Sequence, residues 1–367
     1  MVKWTKCTYA DDFSGAGTLG LALMRCAKSL PLSKRPVLDH VFSCDKLRAS
    51  KKLIHHVDPP RLWLDDVQSP QRAEVMGLSK AAPLNIYQWT APCQGWSSCG
   101  NQGGAEDPRS RLALVGCAAV QVLQPDAFIS ENVAALVVNK KFKPFFNLLL
   151  TKLTNAGYKV VVRVLSSEPY VPQTRKRAYI VGIKHTKLRV RTQGVPFFPD
   201  PPVGICPTLR SLINPLPSTQ WLPHPSARND ELKYKNVIQA YKDVKDSVNP
   251  FRVPIIVDCG STPVFSSFRI NESPTLTRTR SSQKDGYWCS TKGGGLDATE
   301  LGKLQGFEPE EFPWKEVGLS RAAAGGVMGN AQTLPLVADI VCHLLFHSCQ
   351  IDFETFELMK RQFQRRG

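Results

Sequence analysis

Asp12-Phe13-Ser14-Gly15-Ala16-Gly17-Thr18-Leu19-Gly20 is the stretch that decides the fold. It stands between a β-rich run at 8–11 and a helical pattern at 18–28. A glycine-rich turn there lets the chain reverse tightly and lets a ligand come close to bare backbone at the carboxyl edge of a sheet. The glycines follow the spacing G-x-G-x-x-G, and Asp45, at the end of the next β-rich run, stands where an acid can take a ribose hydroxyl. From these residues alone a nicotinamide dinucleotide, S-adenosylmethionine and a tight turn without a ligand all stay open.

Outward from this turn, β-rich runs at 8–11, 41–44, 85–89, 127–130, 159–165 and 178–181 alternate with helical patterns, among them 18–28, 111–123 and 144–156. That rhythm predicts an α/β fold, a doubly wound Rossmann-like sheet. After about residue 185 the texture changes, with nine prolines between Val195 and Pro225 and no sustained period, which reads as a smaller, loop-rich unit. Residues 184–298 carry 16 Lys plus Arg against 9 Asp plus Glu. A helical pattern returns at 300–305, and a glycine-rich stretch at 325–329 leads into an apolar helix at 334–346. The expected organisation is therefore a first domain at 1–183, an inserted domain at 184–298 and a return to the first at 299–367.

The chain has 47 Lys plus Arg against 31 Asp plus Glu, a net charge of +16. Such an excess faces water or a polyanion, because unpaired charge is not buried. Nucleic acid is the natural partner, and a basic solvated surface is the competing reading. No apolar run reaches the roughly 18 residues of a membrane span, so no membrane partner is expected. The start, Met1-Val2-Lys3-Trp4, leads to Asp11 and Asp12 without an apolar leader segment, and the expectation is an intracellular protein found with DNA, in a nucleus or nucleoid, and not secreted. The 11 cysteines lack a Cys-x-x-Cys pair, so neither a disulfide framework nor a metal site is expected.

Three further motifs carry chemistry. Pro92-Cys93-Gln94-Gly95-Trp96-Ser97 follows a β-rich run, which puts a thiol on the ligand-facing edge among polar neighbours, as a nucleophile requires; a structural Pro-Cys turn is the alternative. Ser130-Glu131-Asn132-Val133 ends another run, so Glu131 projects near the same edge, where a carboxyl group beside a heteroaromatic ring can move protons; a plain turn competes. In Gln173-Thr174-Arg175-Lys176-Arg177, strand alternation places Arg175 and Arg177 on one face, suited to phosphate or carbonyl oxygens, or to nothing more than a charged edge.

In this order the motifs resemble those of the cytosine-C5 DNA methyltransferases, over nearly the whole catalytic domain. Phe13, Ser14, Gly15, Ala16 and Gly17 resemble the family's cofactor loop, Asp45 its ribose-binding acid, Asp66 its adenine contact, and Pro92-Cys93-Gln94 its nucleophile loop. The segment from Gly100-Asn101-Gln102-Gly103 to Asp107-Pro108-Arg109 is similar to the flexible segment that follows. Glu131-Asn132-Val133 and Gln173-x-Arg175-x-Arg177 match the base-pocket motifs, while Glu300, Leu304-Gln305-Gly306-Phe307 and Gly329-Asn330-Ala331 resemble the last two motifs, Asn330 helping to hold the cofactor. Departures are few. Gly17-Thr18 stands for the usual Gly-Gly, Asp12 for an apolar residue, Trp96 for Phe or Tyr, Lys303 for Arg, and Gln332-Thr333 for Val-Pro, with Pro335 in register.

The resemblance implies a monomeric enzyme that uses S-adenosylmethionine and double-stranded DNA. The target cytosine is flipped from the duplex, Cys93 adds to C6, and C5 takes the methyl group. Glu131 holds the ring N3 and amino group, and Arg175 and Arg177 divide the base O2 and the pocket wall between them, in an order the sequence leaves open. Gln94, Ser97 and Gln173 are expected to meet the DNA, as are Thr275, within Ser273-Pro274-Thr275-Leu276-Thr277, and the neighbouring Arg278 and Arg280. The insert would read base edges while its cations hold phosphates. Rival readings are a transfer-RNA cytosine-C5 methyltransferase on the same fold, a nicotinamide-dependent oxidoreductase, which leaves Cys93, Glu131 and the arginines unexplained, and a DNA-binding relative without activity.

Overall fold

The computed structural model describes residues 4–81, 83–96, 103–104, 107–204, 206–213, 228–261 and 267–363. β1 (Lys6–Asp12) runs into the glycine turn and α1 (Thr18–Lys28) leaves it. There follow β2 (Val37–Cys44), α2 (Arg48–Val57), β3 (Leu62–Leu64), α3 (Gln71–Ala81), β4 (Ile86–Trp89), α4 (Leu112–Leu123), β5 (Ala127–Val133), α5 (Ala135–Val138), α6 (Lys143–Asn155), β6 (Tyr158–Ser166) and β7 (Lys176–Lys184). They build a seven-stranded sheet in the order β3-β2-β1-β4-β5-β7-β6. β1 pairs in parallel with both β2 and β4, so the strand order reverses between them and opens the crevice in which doubly wound sheets bind ligands. β7 runs antiparallel to β5.

The sheet is covered on both faces, which is why β4 (Ile-Tyr-Gln-Trp) is buried at every position instead of alternating. Trp89 stacks on Tyr87 at 5.8 Å and tilts against Phe128 at 5.5 Å, and Phe128 meets Tyr158 at 5.1 Å. Each such buried ring contributes about 2–3 kcal/mol. All six expected strands are present. β3 escapes a sequence reading because three residues show no period, and α2 because its buried Ser50, Leu53 and Ile54 are set among cations.

The chain forms two compact units. One comprises Met1–Leu165, Lys176–Pro202 and Pro335–Gly367, the other Ser166–Arg175 and Val203–Leu334. The second unit holds α7 (Leu209–Leu212), α8 (Arg228–Val244), β8 (Ile255–Asp258), β9 (Ser267–Ile270), α9 (Arg278–Ser282), β10 (Tyr287–Cys289), β11 (Gly294–Gly295), α10 (Ala298–Leu304) and α11 (Arg321–Asn330). Its four strands pair in the order β11-β10-β8-β9, and Val237, Ala240 and Val244 of α8 share a core with Ile255, Val257 and Trp288. The stretch without sustained period thus contains a 17-residue helix, with apolar positions at helical spacing that the proline-rich flank obscured. The glycine stretch at 325–329 is itself helical, because small residues let α11 lie on the backbone of α9. By contacts the chain rejoins the first unit at Pro335, later than the division at 299 drawn from sequence, with α12 (Leu334–His347) and α13 (Phe353–Lys360).

Candidate active site

Phe13, Asp45, Asp66 and Cys93 follow the carboxyl ends of β1, β2, β3 and β4, and Glu131 lies near the carboxyl end within β5 itself, so the first unit gathers these residues at one edge of the sheet. The glycine turn is strained where a ligand would lie along it. Phe13, Gly15 and Gly17 have φ of 58°, 56° and 72°. A side chain at Gly17 would sit 3.0 Å from Ile54 of α2, so glycine is required there for both conformation and space. Ser14 is buried, and its hydroxyl donates to Asp11 Oδ1 (2.8 Å) while accepting the Cys44 N–H (3.0 Å). Asp45 accepts the Gly15 N–H (2.8 Å) and the Leu47 N–H (2.7 Å), one on each oxygen.

Asp66 accepts the Gln68 N–H (3.0 Å) and pairs with Lys46 at 2.9 Å. Burial pushes its carboxyl up, but these two partners outweigh burial and hold it below the ordinary carboxylate range. It is therefore an ionised acceptor at neutral pH. These residues fit an adenosine-bearing cofactor: strained bare backbone, a half-buried acid at the end of β2 and an ionised acceptor at the end of β3.

Asp12, where an apolar residue is usual, is fully buried and held by both terminal guanidinium nitrogens of Arg72 (Nη1 at 2.8 Å) and by the Tyr87 hydroxyl. Sequence reading missed Arg72, since nothing local ties it to a residue 60 positions away. Beneath the turn, His40 lies 3.0 Å from Asp58 and 3.6 Å from Asp11, stacked on Tyr9. Burial pulls the imidazole down, but hydrogen bonds to Asp11 and Asp58 overcome it and raise its pKa to about 10.

Thr90 ties the glycine turn to the loop that carries Cys93 by donating its hydroxyl to the Phe13 carbonyl (2.7 Å). Pro92 and Cys93 are half-buried and Gln94 is exposed; Ser97 lies outside the described residues. The turn is closed by the Trp96 N–H donating to the Cys93 carbonyl (3.0 Å) and is pressed on Gly104, Asp107 and Ser110, so that a side chain at Gly95 would fall 2.0 Å from Ser110 Oγ. Trp96 is anchored against Phe145 at 4.7 Å and Phe142 at 5.1 Å. Arg109 grips Asp107 at 2.6 Å, and that bond raises its pKa despite the opposing effect of desolvation.

Asn132 links the other half of the site, donating its amide to the Ala91 carbonyl (3.2 Å) and so binding the end of β5 to the loop that carries Cys93. Glu131 is buried, with Arg177 Nε 3.0 Å from its Oε1. That approach is off-line for a hydrogen bond, and Oε1 has no hydrogen-bond donor among the described residues. A buried carboxylate with unused accepting capacity is what a ligand donor would complete.

Arg177, in the first unit, is the arginine beside Glu131. The expectation that Arg175 and Arg177 share one strand face is corrected, because β7 begins at Lys176. Arg175 precedes the strand, is buried in the second unit and donates to the Leu276 carbonyl (2.9 Å). In the same unit Gln173 is fully buried, its amide donating to the Leu304 carbonyl (2.8 Å) and accepting the Leu276 N–H (3.1 Å); this engagement leaves it no surface for DNA. Thr275 is half-buried, its hydroxyl donating to the Thr174 carbonyl (2.5 Å), and Arg278 is exposed. Arg280 is committed to Asp258 at 2.9 Å. Glu300 forms a capping box with Asp297 and pairs with Lys292 at 2.6 Å, and Gln305 is a buried hub donating to the Met328 and Ala331 carbonyls. Asn330 is exposed at the end of α11. Among the described residues no cluster of three His, Cys, Asp or Glu side chains could hold a metal, and no helix is long and apolar enough to cross a membrane.

A doubly wound sheet with a strained glycine turn at its switch point and a half-buried thiol on the neighbouring loop defines a Rossmann-like methyltransferase architecture. Solved structures share it. The S. pombe Dnmt2 methyltransferase covers 93% of this chain and 98% of its own at a TM-score of 0.59 and 13% identity. The Entamoeba histolytica methyltransferase EhMeth gives 0.57 at 13% identity, over 93% of this chain and 98% of its own. Residues 9–345 match the C-5 cytosine-specific DNA methylases, and the chain belongs to that family. It is 30% identical over 209 residues to the Type II methyltransferase M.MthTI of Methanothermobacter thermautotrophicus, covering 57% of this chain and 56% of that protein. It is 26% identical over 270 residues to M.NgoBI of Neisseria gonorrhoeae, covering 70% and 73%. The chain spans about half the length of M.MthTI, and 38% and 28% of M.PspPI and M.HgiBI.

Proposed function

We propose that this chain methylates cytosine C5 in double-stranded DNA, with Cys93 as the covalent nucleophile and S-adenosylmethionine as the methyl donor. The observation that carries the reading is the Asn132–Ala91 hydrogen bond, which fastens the Glu131–Arg177 pair to the loop of Cys93 beside the strained cofactor turn. Phe13 to Gly17, Asp45, Asp66 and Pro92 would hold the cofactor. When bound, S-adenosylmethionine supplies an electrophilic methyl group.

The chain's own residues do the rest. The Cys93 thiolate forms a bond to C6, and the displaced electron pair is carried to C5. Glu131 holds the N3 and amino side of the ring, with Oε1 available to it, and stabilises the adduct. Arg177 would steady Glu131 and meet the base O2, and Arg175 would brace the second unit through the Leu276 carbonyl. Once C5 carries the methyl group, loss of its proton restores the C5–C6 double bond and expels the Cys93 thiolate. Gln94, Thr275 and Arg278 are the exposed or half-exposed candidates for DNA contact, whereas Gln173 and Arg280 act as braces. Family membership favours DNA over transfer RNA, and neither an oxidoreductase nor an inactive binder accounts for the Cys93–Glu131–Arg177 edge.

The test is transfer of labelled methyl to mixed-sequence duplex DNA by wild type and Cys93→Ser, followed by sequencing of the methylated positions. Cytosine-C5 methylation lost in the variant is expected. Transfer by the variant at the wild-type rate, or wild-type transfer to RNA alone, would overturn the reading.

A further inference from the structure

The turn joining β5 to α6 carries Lys140, Lys141 and Lys143, all exposed, within an exposed strip that also includes Val138, Asn139 and Pro144. From 132 to 167 the chain has six Lys plus Arg and not one Asp or Glu. Neither Lys140 nor Lys143 has an acidic partner among the described residues. The turn lies at the carboxyl edge of the sheet, one loop from Cys93, and is seated there by apolar contacts. Phe142 and Phe145 pack on Trp96 at 5.1 and 4.7 Å, and the Asn139 side chain accepts the Lys141 N–H (3.0 Å) and fixes the backbone. The aromatic side of the turn therefore faces the nucleophile loop, while its cationic side faces water.

We propose that Lys140, Lys141 and Lys143 form a phosphate-binding patch that grips the DNA backbone next to the cytosine drawn toward Cys93. The proposal rests on duplex DNA being the substrate. Three ammonium groups within four residues make a point-charge surface suited to successive phosphodiesters rather than to a planar carboxylate, for which arginine is the better residue. Such contacts position the duplex and carry no sequence information. They would act from the first unit, independently of the base-reading insert.

The experiment compares wild type with the variant Lys140→Gln/Lys141→Gln/Lys143→Gln, following duplex binding by fluorescence anisotropy from about 50 to about 200 mM salt, with S-adenosylmethionine affinity and thermal melting as controls. Each lost phosphate contact lowers the salt slope by ~0.9, so three lower it by ~2.7, and wild type should lose about 40-fold more affinity over this range than the variant. The deficit should be equal on methylatable and unrelated duplexes. The triple Lys→Arg variant should behave as wild type, and cofactor binding and melting should be unchanged. A variant slope equal to that of a DNA-binding wild type overturns the patch alone, as does a deficit seen only with RNA. A wild type that neither binds nor methylates duplex DNA overturns the functional reading and the patch with it.

Discussion

Replacing Arg72 with methionine should destabilise the first unit more than any other single change at the cofactor edge. Asp12 is fully buried and Arg72 is 11% exposed, so the pair has little solvent to fall back on. Methionine keeps the aliphatic stem but leaves the Asp12 carboxylate, among the described residues, with only the Tyr87 hydroxyl as a side-chain partner. Breaking a buried pair by removing one partner costs about 3–5 kcal/mol, because the remaining charge is uncompensated. For a unit of this size each kcal/mol lowers the melting temperature by about 2–4 °C, which gives a drop of roughly 6–20 °C. Neutralising the survivor in Asp12→Asn/Arg72→Met should restore more than half of the loss, since the coupling between contacting residues is not additive. Calorimetric melting of the ligand-free protein, for wild type, both singles and the double, reads the cycle directly. A cost below about 1 kcal/mol for Arg72→Met, or strict additivity in the double, would refute the idea that the aspartate is tolerated because Arg72 and Tyr87 compensate it.

Asn132→Ala should lower turnover at saturating DNA while costing about 1 kcal/mol in stability, because it frees the loop of Cys93 from the end of β5; unchanged turnover would show that the tether does not position the nucleophile. Gly95→Ala should impair activity by driving a methyl group against Ser110 Oγ, and Ser110→Gly should partly rescue it; a rescue-free or fully active Gly95→Ala would contradict the packing. His40 titrates from a raised pKa of about 10, above its unfolded value near 6.5. Its contribution is therefore fully present below about pH 6.5 and is lost as pH rises through about 10. Denaturant midpoints across that window should fall in wild type and fall less in His40→Gln, and parallel slopes would count against the assignment.

Local chemistry made much of this protein readable from its residues alone. The turn from Asp12 to Gly20 could be identified because glycine spacing reports backbone conformation directly, and the alternation of β-rich runs with helical patterns fixed the fold class for the same reason: period and punctuation are local properties. Cys93 and Glu131 could be placed on one edge because Cys93 follows β4 and Glu131 stands near the carboxyl end of β5 in the same sheet. What needed tertiary structure was everything that depends on distant partners. The antiparallel insertion of β7 beside β5 brings Arg177 to Glu131, while the chain's bend before Lys176 takes Arg175 into the other unit, a split that strand alternation could not foresee. Gln173 reads as a polar candidate for DNA, yet it is buried because the Leu276 N–H and the Leu304 carbonyl, more than a hundred residues away, satisfy its amide. Arg72 and Asn132 gain their importance in the same way. A residue's type sets which bonds it can make; only the folded chain decides which partner comes within reach and whether water is left to compete.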